Sequence, residues 1–454
     1  MKQKLLVCLM LLSGQTFAQL SAQKTRLLDS LFNQLNENQM SMGSISIFKD
    51  GKEVYAKCYG ISNKKNGTDI PASKEKTHYR IGSISKVFTA FLIMKSVESG
   101  KLSLKQPIVE FFPDLNGAST VTIEQLLVHK NKLPIFHRVD DLEELRKSKT
   151  ESELIATVNK GKPNPDSLKT VYNNLNYILL GLIVEKVNGA GYNEVLKNSL
   201  NSLEQKEVYG TFHLLDYQKN EANSFHISNE NWVEDYEIRE CPIADGSGFL
   251  LSNPQTLNTF MYALFNGKLL SEESLKQMLP AGSMFGYGLM KANFDEHKGF
   301  GHTGRIEGFT SAATYFTEDK INVALLQNGT VYPMNDILIL VGDILFDKQV
   351  EIPNFKKVTL STAETAALLG TYENAEEGYK VIADLSKGQL RIRVAKGNGF
   401  MNKMILETYA LSPSRIFNPS QGIIFDFIKR NNGTYSECEM RVNGSKLPLK
   451  KISE

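Results

Sequence analysis

The chain has 454 residues, too many for one typical hydrophobic core. Its 52 lysines and arginines nearly balance 50 aspartates and glutamates, so no basic surface argues for a nucleic acid partner. Four cysteines are too few for a disulfide framework, and the seven histidines show no HExxH or similar spacing, so neither a stapled mini-domain nor a metal site is expected.

The first residues, MKQKLLVCLMLLSGQTFAQ, carry Lys2 and Lys4, an apolar run from Leu5 to Leu12, and small residues around Thr16 to Ala18. This is the pattern of a signal peptide cleaved after Ala18. The apolar run is far shorter than the ~20 residues a bilayer requires. Cys8 lacks the small residues that precede a lipidated cysteine, so no stable membrane anchor is expected. The mature chain is then periplasmic or secreted. Lys2 and Lys4 leave with the leader, which brings basic and acidic residues level. Cys58, Cys241 and Cys438 remain, and no bridge among them is expected.

Leu27, Leu28, Leu31, Phe32 and Leu35 recur at helical spacing, predicting an amphipathic helix over 21–37. The period then becomes two. Gly43 to Phe48 and Glu53 to Tyr59 alternate around Asp50-Gly51, which predicts a β-hairpin. From about residue 83 to 275 helical signals dominate. Thr122-x-x-Gln125 reads as a capping box, Leu179 to Val187 as a helix closed by Gly189, and Asn253-Pro254 as a helix start. Strand patterns return at Phe285–Met290, Phe309–Phe316 and Ile321–Leu326, followed by an apolar helix over about 335–346. Strands that bracket a helical middle suit an antiparallel sheet built from both ends of the domain, with the middle as a second lobe. A cleft between the lobes is the natural place for a site. A polar linker is expected over 348–362. Past it, short alternating strands with turn signals predict a small antiparallel barrel or sandwich over 363–454.

Ser83-Ile84-Ser85-Lys86 places a serine and a lysine three apart at the mouth of an apolar helix. Ser-x-x-Lys alone means little, since Ser21-x-x-Lys24, Ser62-x-x-Lys65 and Ser73-x-x-Lys76 also fit. Only Ser83 follows a glycine and opens a segment that must be buried. On one helix face Lys86 leans back toward the hydroxyl, and burial lowers its pKa toward that of a usable base. Tyr172-Asn173-Asn174 and Gly301-His302-Thr303-Gly304-Arg305 follow downstream.

In this order the three boxes resemble the class C β-lactamase-related serine hydrolases, a family that includes D,D-carboxypeptidases, D-aminopeptidases and carboxylesterases. The resemblance spans about residues 30–347, with further similar stretches at Tyr79–Lys86, Thr122–His129 and Gly308–Ser311. It implies an α+β fold: a β-lactamase/transpeptidase-like antiparallel sheet flanked by helices, plus an all-helical lobe. The start at Gly370-Thr-Tyr-Glu373 is similar to the small lipocalin-like β-barrel domain that follows some members. The resemblance implies Ser83 as the acylated nucleophile, Lys86 as its deprotonating partner, and Tyr172 as general base and acid. Asn174 would contact substrate or hold Lys86. His302, Thr303 and Gly304 would form the strand wall beside the substrate, and the N–H groups of Ser83 and Arg305 the oxyanion hole. No cofactor is implied, and the partner is a small peptide, β-lactam-like or ester substrate.

The sequence departs from the family at two places. His302 stands where β-lactamases carry lysine, which removes a permanent cation and favours peptidase or esterase activity over efficient β-lactamase activity. Lys130-Asn131-Lys132 replaces a small Thr-Ser-Gly. That altered loop motivates an alternative, a non-catalytic penicillin-binding sensor that keeps the fold.

Overall fold

The computed structural model describes residues 20–453 except 74–76, 137–149, 167–168, 205, 211–214, 216, 229–230, 236–244, 398–404, 407, 420, 430–433 and 443–444. The expected leader and Cys241 lie outside the described residues. Among the described residues, Cys58 and Cys438 form no disulfide.

Six antiparallel strands form the central sheet, in the order Met290–Lys291, Gly299–Ile306, Phe309–Phe316, Ile321–Thr330, Ser41–Lys49 and Lys52–Tyr59. The N-terminal hairpin joins the C-terminal meander through Ser41–Lys49, whose Ile45 lies opposite Leu325 and Ile47 opposite Val323. The sheet is therefore assembled from both ends of the domain. Helix Ala22–Glu37 buries Leu28, Leu31, Phe32 and Leu35 on one face of it, beside helix Met334–Leu345.

The opposite face carries the larger core, organised on helix Ser85–Glu98. Of its 14 residues, 11 are buried, and a helix apolar all round belongs at the centre of a domain. Phe88 stacks on Phe260 of helix Pro254–Phe265 at 4.1 Å. Lys86 lies on the enclosed side of this helix and is completely buried.

Two expectations change here. The middle is not all helical: Tyr79–Arg80, Leu250–Ser252 and Tyr209–Gly210 form a three-stranded sheet, and Phe225–Ser228 pairs with Asn231–Glu234. Pieces of two to four residues are too short to show a period. The strand expected over Phe285–Met290 is a turn, and only Met290–Lys291 joins the sheet. Gly288 sits at φ +67°, and a Cβ there would lie 2.5 Å from the Lys86 carbonyl, so this glycine serves close packing on the central helix.

The C-terminal region is a nine-stranded antiparallel sheet, compatible with a small barrel, in which Gly370–Asn374 pairs with both Tyr379–Ser386 and Ser445–Ser453. Its interior is filled by Tyr372, Ile392, Phe425, Phe427, Tyr435 and other apolar side chains. The segment expected as a polar linker is laid against the molecule: Phe355 is buried in a core shared with Tyr332, Phe417 and Ile424, and the Val358 N–H donates to the Ala410 carbonyl.

Candidate active site

Ser83 sits on a 3₁₀ turn, Gly82–Ile84, that leads into helix Ser85–Glu98. The turn is clamped from two sides. Ile81 donates its N–H to the Leu250 carbonyl at 2.9 Å, and the Ser311 hydroxyl donates to the Ile81 carbonyl at 2.8 Å. Strand Gly299–Ile306 presses onto the same turn: a Cβ on Gly304 would fall 2.1 Å from the Ile81 carbonyl oxygen, and one on Gly82 would fall 2.8 Å from the Arg305 nitrogen. Glycine is required at both, and the contact sets the Arg305 backbone nitrogen beside the residue that precedes Ser83.

Lys86 is completely buried. Its Nζ donates to Ser83 Oγ at 3.1 Å, to Asn174 Oδ1 at 2.8 Å and to the Ser247 carbonyl at 2.5 Å. Burial pushes its pKa well below the ordinary lysine range. Three acceptors match the three hydrogens of an ammonium and oppose part of that fall, so the group is poised to exchange a proton. Nζ also lies 5.0 Å from the centre of the Tyr172 ring.

Tyr172 donates its phenol to Ser83 Oγ at 2.7 Å. Burial pushes the phenol pKa upward, more strongly than the Ser83 hydrogen bond lowers it. The ring is presented just ahead of helix Asn174–Asn188. Asn173 caps that helix by accepting from the Leu175 N–H, and it also accepts from the Phe136 N–H at 3.0 Å. Asn174, the first helical residue, holds Lys86.

His302 is buried, with its ring 6.3 Å from the Tyr172 ring. Its Nδ1–H donates to the Thr303 carbonyl at 2.5 Å, which leaves Nε2 as an acceptor. Thr303 and Arg305 are exposed, on the opposite face of the strand from His302 and Gly304. The Arg305 guanidinium therefore does not take the place of a lysine at 302. The structure brings Ser83, Lys86, Tyr172, Asn174 and His302 together, with the Thr303 to Arg305 backbone alongside.

A serine-bearing turn, a buried lysine and a tyrosine meeting at one hydroxyl are accompanied by a match along the chain: the Beta-lactamase family model fits residues 28–340. The chain belongs to the Beta-lactamase family. Within it, the protein is 25% identical over 313 residues to "Protein flp" of Staphylococcus aureus (strain MW2), covering 65% of this chain and 61% of that one. The match thus leaves more than a third of that relative's length unaccounted for. An octameric penicillin-binding protein homologue from Pyrococcus abyssi is 26% identical with a TM-score of 0.64, covering 94% of this chain and 99% of its own. The D-amino acid amidase from Ochrobactrum anthropi SV3 shares the fold, with 22% identity, a TM-score of 0.60, and coverage of 71% and 99%.

For this Beta-lactamase family member the motif reading missed Ser247. It lies in the single helical turn Asp245–Gly248, whose Gly246 packs so closely on helix Asn174–Asn188 that a Cβ would fall 2.5 Å from the Tyr177 carbonyl. The run Asp-Gly-Ser-Gly signals a tight approach, but a backbone acceptor leaves no residue-type signature. The unusual Lys130-Asn131-Lys132 is anchored in the lobe through its middle residue: Asn131 is buried, its side chain accepts from the Leu133 N–H at 3.0 Å, and its backbone carbonyl accepts from the Asn164 amide at 3.0 Å.

Burial, and then the neighbouring Lys86, hold the His302 pKa down to about 4. An unfolded histidine takes up its proton at pH ~6.5, whereas folded His302 waits until about 4. The unfolded state therefore binds more protons in that window, and native stability falls as pH drops through it, by about 3 kcal/mol in full. Urea unfolding at pH 7 and pH 4 should show a smaller drop in His302→Asn than in wild type. Equal drops would remove His302 from the account.

Proposed function

We propose that this protein is an exported serine hydrolase that forms an acyl intermediate on Ser83 from D-amino-acid amides, D-amino-acid peptides or esters. The observation that carries the reading is Ser83 Oγ held between the Tyr172 phenol at 2.7 Å and Lys86 Nζ at 3.1 Å. The amide substrate class is supported by the shared fold of the D-amino acid amidase. The integrated 130–132 loop weakens the motive for a non-catalytic sensor.

A phenol with a raised pKa is protonated at rest, so Tyr172 is poised as an acid first. Lys86, depressed by burial, takes the Ser83 proton as Oγ attacks the carbonyl carbon. The N–H groups of Ser83 and Arg305 receive the oxyanion, a device often worth about 3 kcal/mol per donor. Tyr172 gives its proton to the leaving amine or alkoxide and recovers it from Lys86. Water then cleaves the ester, with the proton moving back by the same route.

His302 is neutral above pH about 4, and Arg305 points from the other strand face, so no permanent cation at position 302 grips a substrate carboxylate. A hydrogen bond to a charged group contributes ~1.5–3 kcal/mol. Peptides ending in D-alanine amide should accordingly be cleaved about tenfold or more better than the same peptides with a free carboxylate. A panel of such pairs with short-chain esters and nitrocefin tests the function. No turnover on any of them, or a preference for free carboxylates, would refute it. Export is read from the leader, and a mature mass beginning at Gln19 is its check. A lipocalin-like tail, filled as it is by apolar side chains, would serve as a packed structural module.

A further inference from the structure

We propose that His129 is a positioning residue for the reaction: its imidazole Nδ1 stands in for a backbone carbonyl and fixes the extended segment that presents the Tyr172 phenol to Ser83. The inference rests on the assignment of Ser83 and Tyr172 as reacting groups.

Successive N–H groups along an extended segment point to alternate sides, so those of Val171 and Asn173 both point toward His129, and Tyr172 lies between them. Val171 donates to the His129 carbonyl at 3.0 Å. Asn173 donates to His129 Nδ1 at 3.2 Å. Where a ladder would offer the next carbonyl, the chain turns away, because His129 itself adopts φ +57°. Histidine, asparagine and aspartate are the side chains enriched among non-glycine residues in that region. The side chain thus replaces the acceptor that the turn removes.

The ring is packed as a gauge block against the phenol. It lies 4.8 Å from the Tyr172 ring, 5.2 Å from Tyr177 and 5.8 Å from Phe285, and is 3% exposed. The Asn176 amide also approaches Nδ1 at 3.3 Å, so Nδ1 receives two N–H groups and carries no proton. Burial, with the nearby Lys86 and His302, holds the pKa well below the ordinary histidine range and keeps the ring neutral. His129 touches no reacting atom. It acts through Tyr172, whose hydroxyl must stay within hydrogen-bond reach of Ser83 Oγ through both half-reactions.

Asparagine is the discriminating replacement. It tolerates the left-handed backbone, and its Oδ1 lies as many bonds from Cα as Nδ1 does. Glycine keeps the backbone and deletes the acceptor and the ring; leucine keeps bulk and deletes the acceptor. The experiment measures kcat and KM on an activated ester, per folded molecule isolated by gel filtration, for wild type, Ser83→Ala, His129→Asn, His129→Gly and His129→Leu. Expected is kcat within about threefold of wild type for His129→Asn, and a loss of about 10- to 100-fold for His129→Gly and His129→Leu with KM little changed. Wild-type kcat in the glycine or leucine variant, an asparagine variant as slow as glycine, or insolubility of both non-accepting variants would overturn the proposal. Turnover that survives in Ser83→Ala would instead sink the serine mechanism on which it rests.

Discussion

Ser83→Ala is expected to lower kcat/KM on an activated ester by about 10⁴-fold or more while leaving the fold intact. The Ser83 hydroxyl accepts from Lys86 and from Tyr172, and both donors keep other packing when it is removed. The 3₁₀ turn is held by backbone contacts at Ile81 and Gly304, which alanine does not disturb. Steady-state kinetics with thermal unfolding checks this. A variant that keeps more than a few per cent of wild-type turnover would mean that another group is the nucleophile.

The second large effect separates activity from stability. Lys86→Met keeps the volume of the buried stem and removes the nitrogen, and kcat/KM should fall by about 10³-fold. Removing one partner usually strands the others. Here Asn174 Oδ1 and the Ser247 carbonyl lose a donor, at a cost of about 1–3 kcal/mol each. Against that, holding the Lys86 amine, and the ammonium it becomes during turnover, away from water carries its own penalty, and the methionine removes it. The two effects nearly cancel, so the thermal midpoint of Lys86→Met should stay close to that of wild type or rise. Catalytic sites often hold groups that stability alone would not choose. A sharp loss of stability together with retained turnover would show that Lys86 is a structural residue.

How far the sequence alone carries this account depends on what each element is made of. Ser83 and Lys86 were legible because they lie three apart on one helix, a local spacing, and because the apolar run around them declared the burial that shifts Lys86. Tyr172, Asn174 and His302 became legible only as an ordered set, since Tyr-x-Asn also occurs at Tyr372-Glu373-Asn374, which forms a strand of the C-terminal sheet. Their convergence on Ser83 is a product of tertiary packing. Ser247 was invisible because its contribution is a carbonyl. His129 stood in a stretch similar to the family, yet its role depends on a backbone turn and on two N–H groups 40 and more residues away. The misread strand at 285–290 failed for a related reason: Gly286 and Gly288 interrupt an apolar run to let backbones approach, and alternation cannot show that. The hairpin, the terminal helices and the last two strands of the meander were legible because each repeats its period over a long enough run, whereas Gly299–Ile306, with three glycines, shows no apolar alternation.

The assignment of Ser83 as the acylated residue is tested most directly by mapping the adduct of a fluorophosphonate. The protein is exposed to the probe, digested, and the modified peptide sequenced by mass spectrometry, beside Ser83→Ala treated identically. The predicted result is one stoichiometric adduct on Ser83 that is absent from the variant. An unlabelled wild type, or equal labelling of Ser83→Ala, would contradict the mechanism.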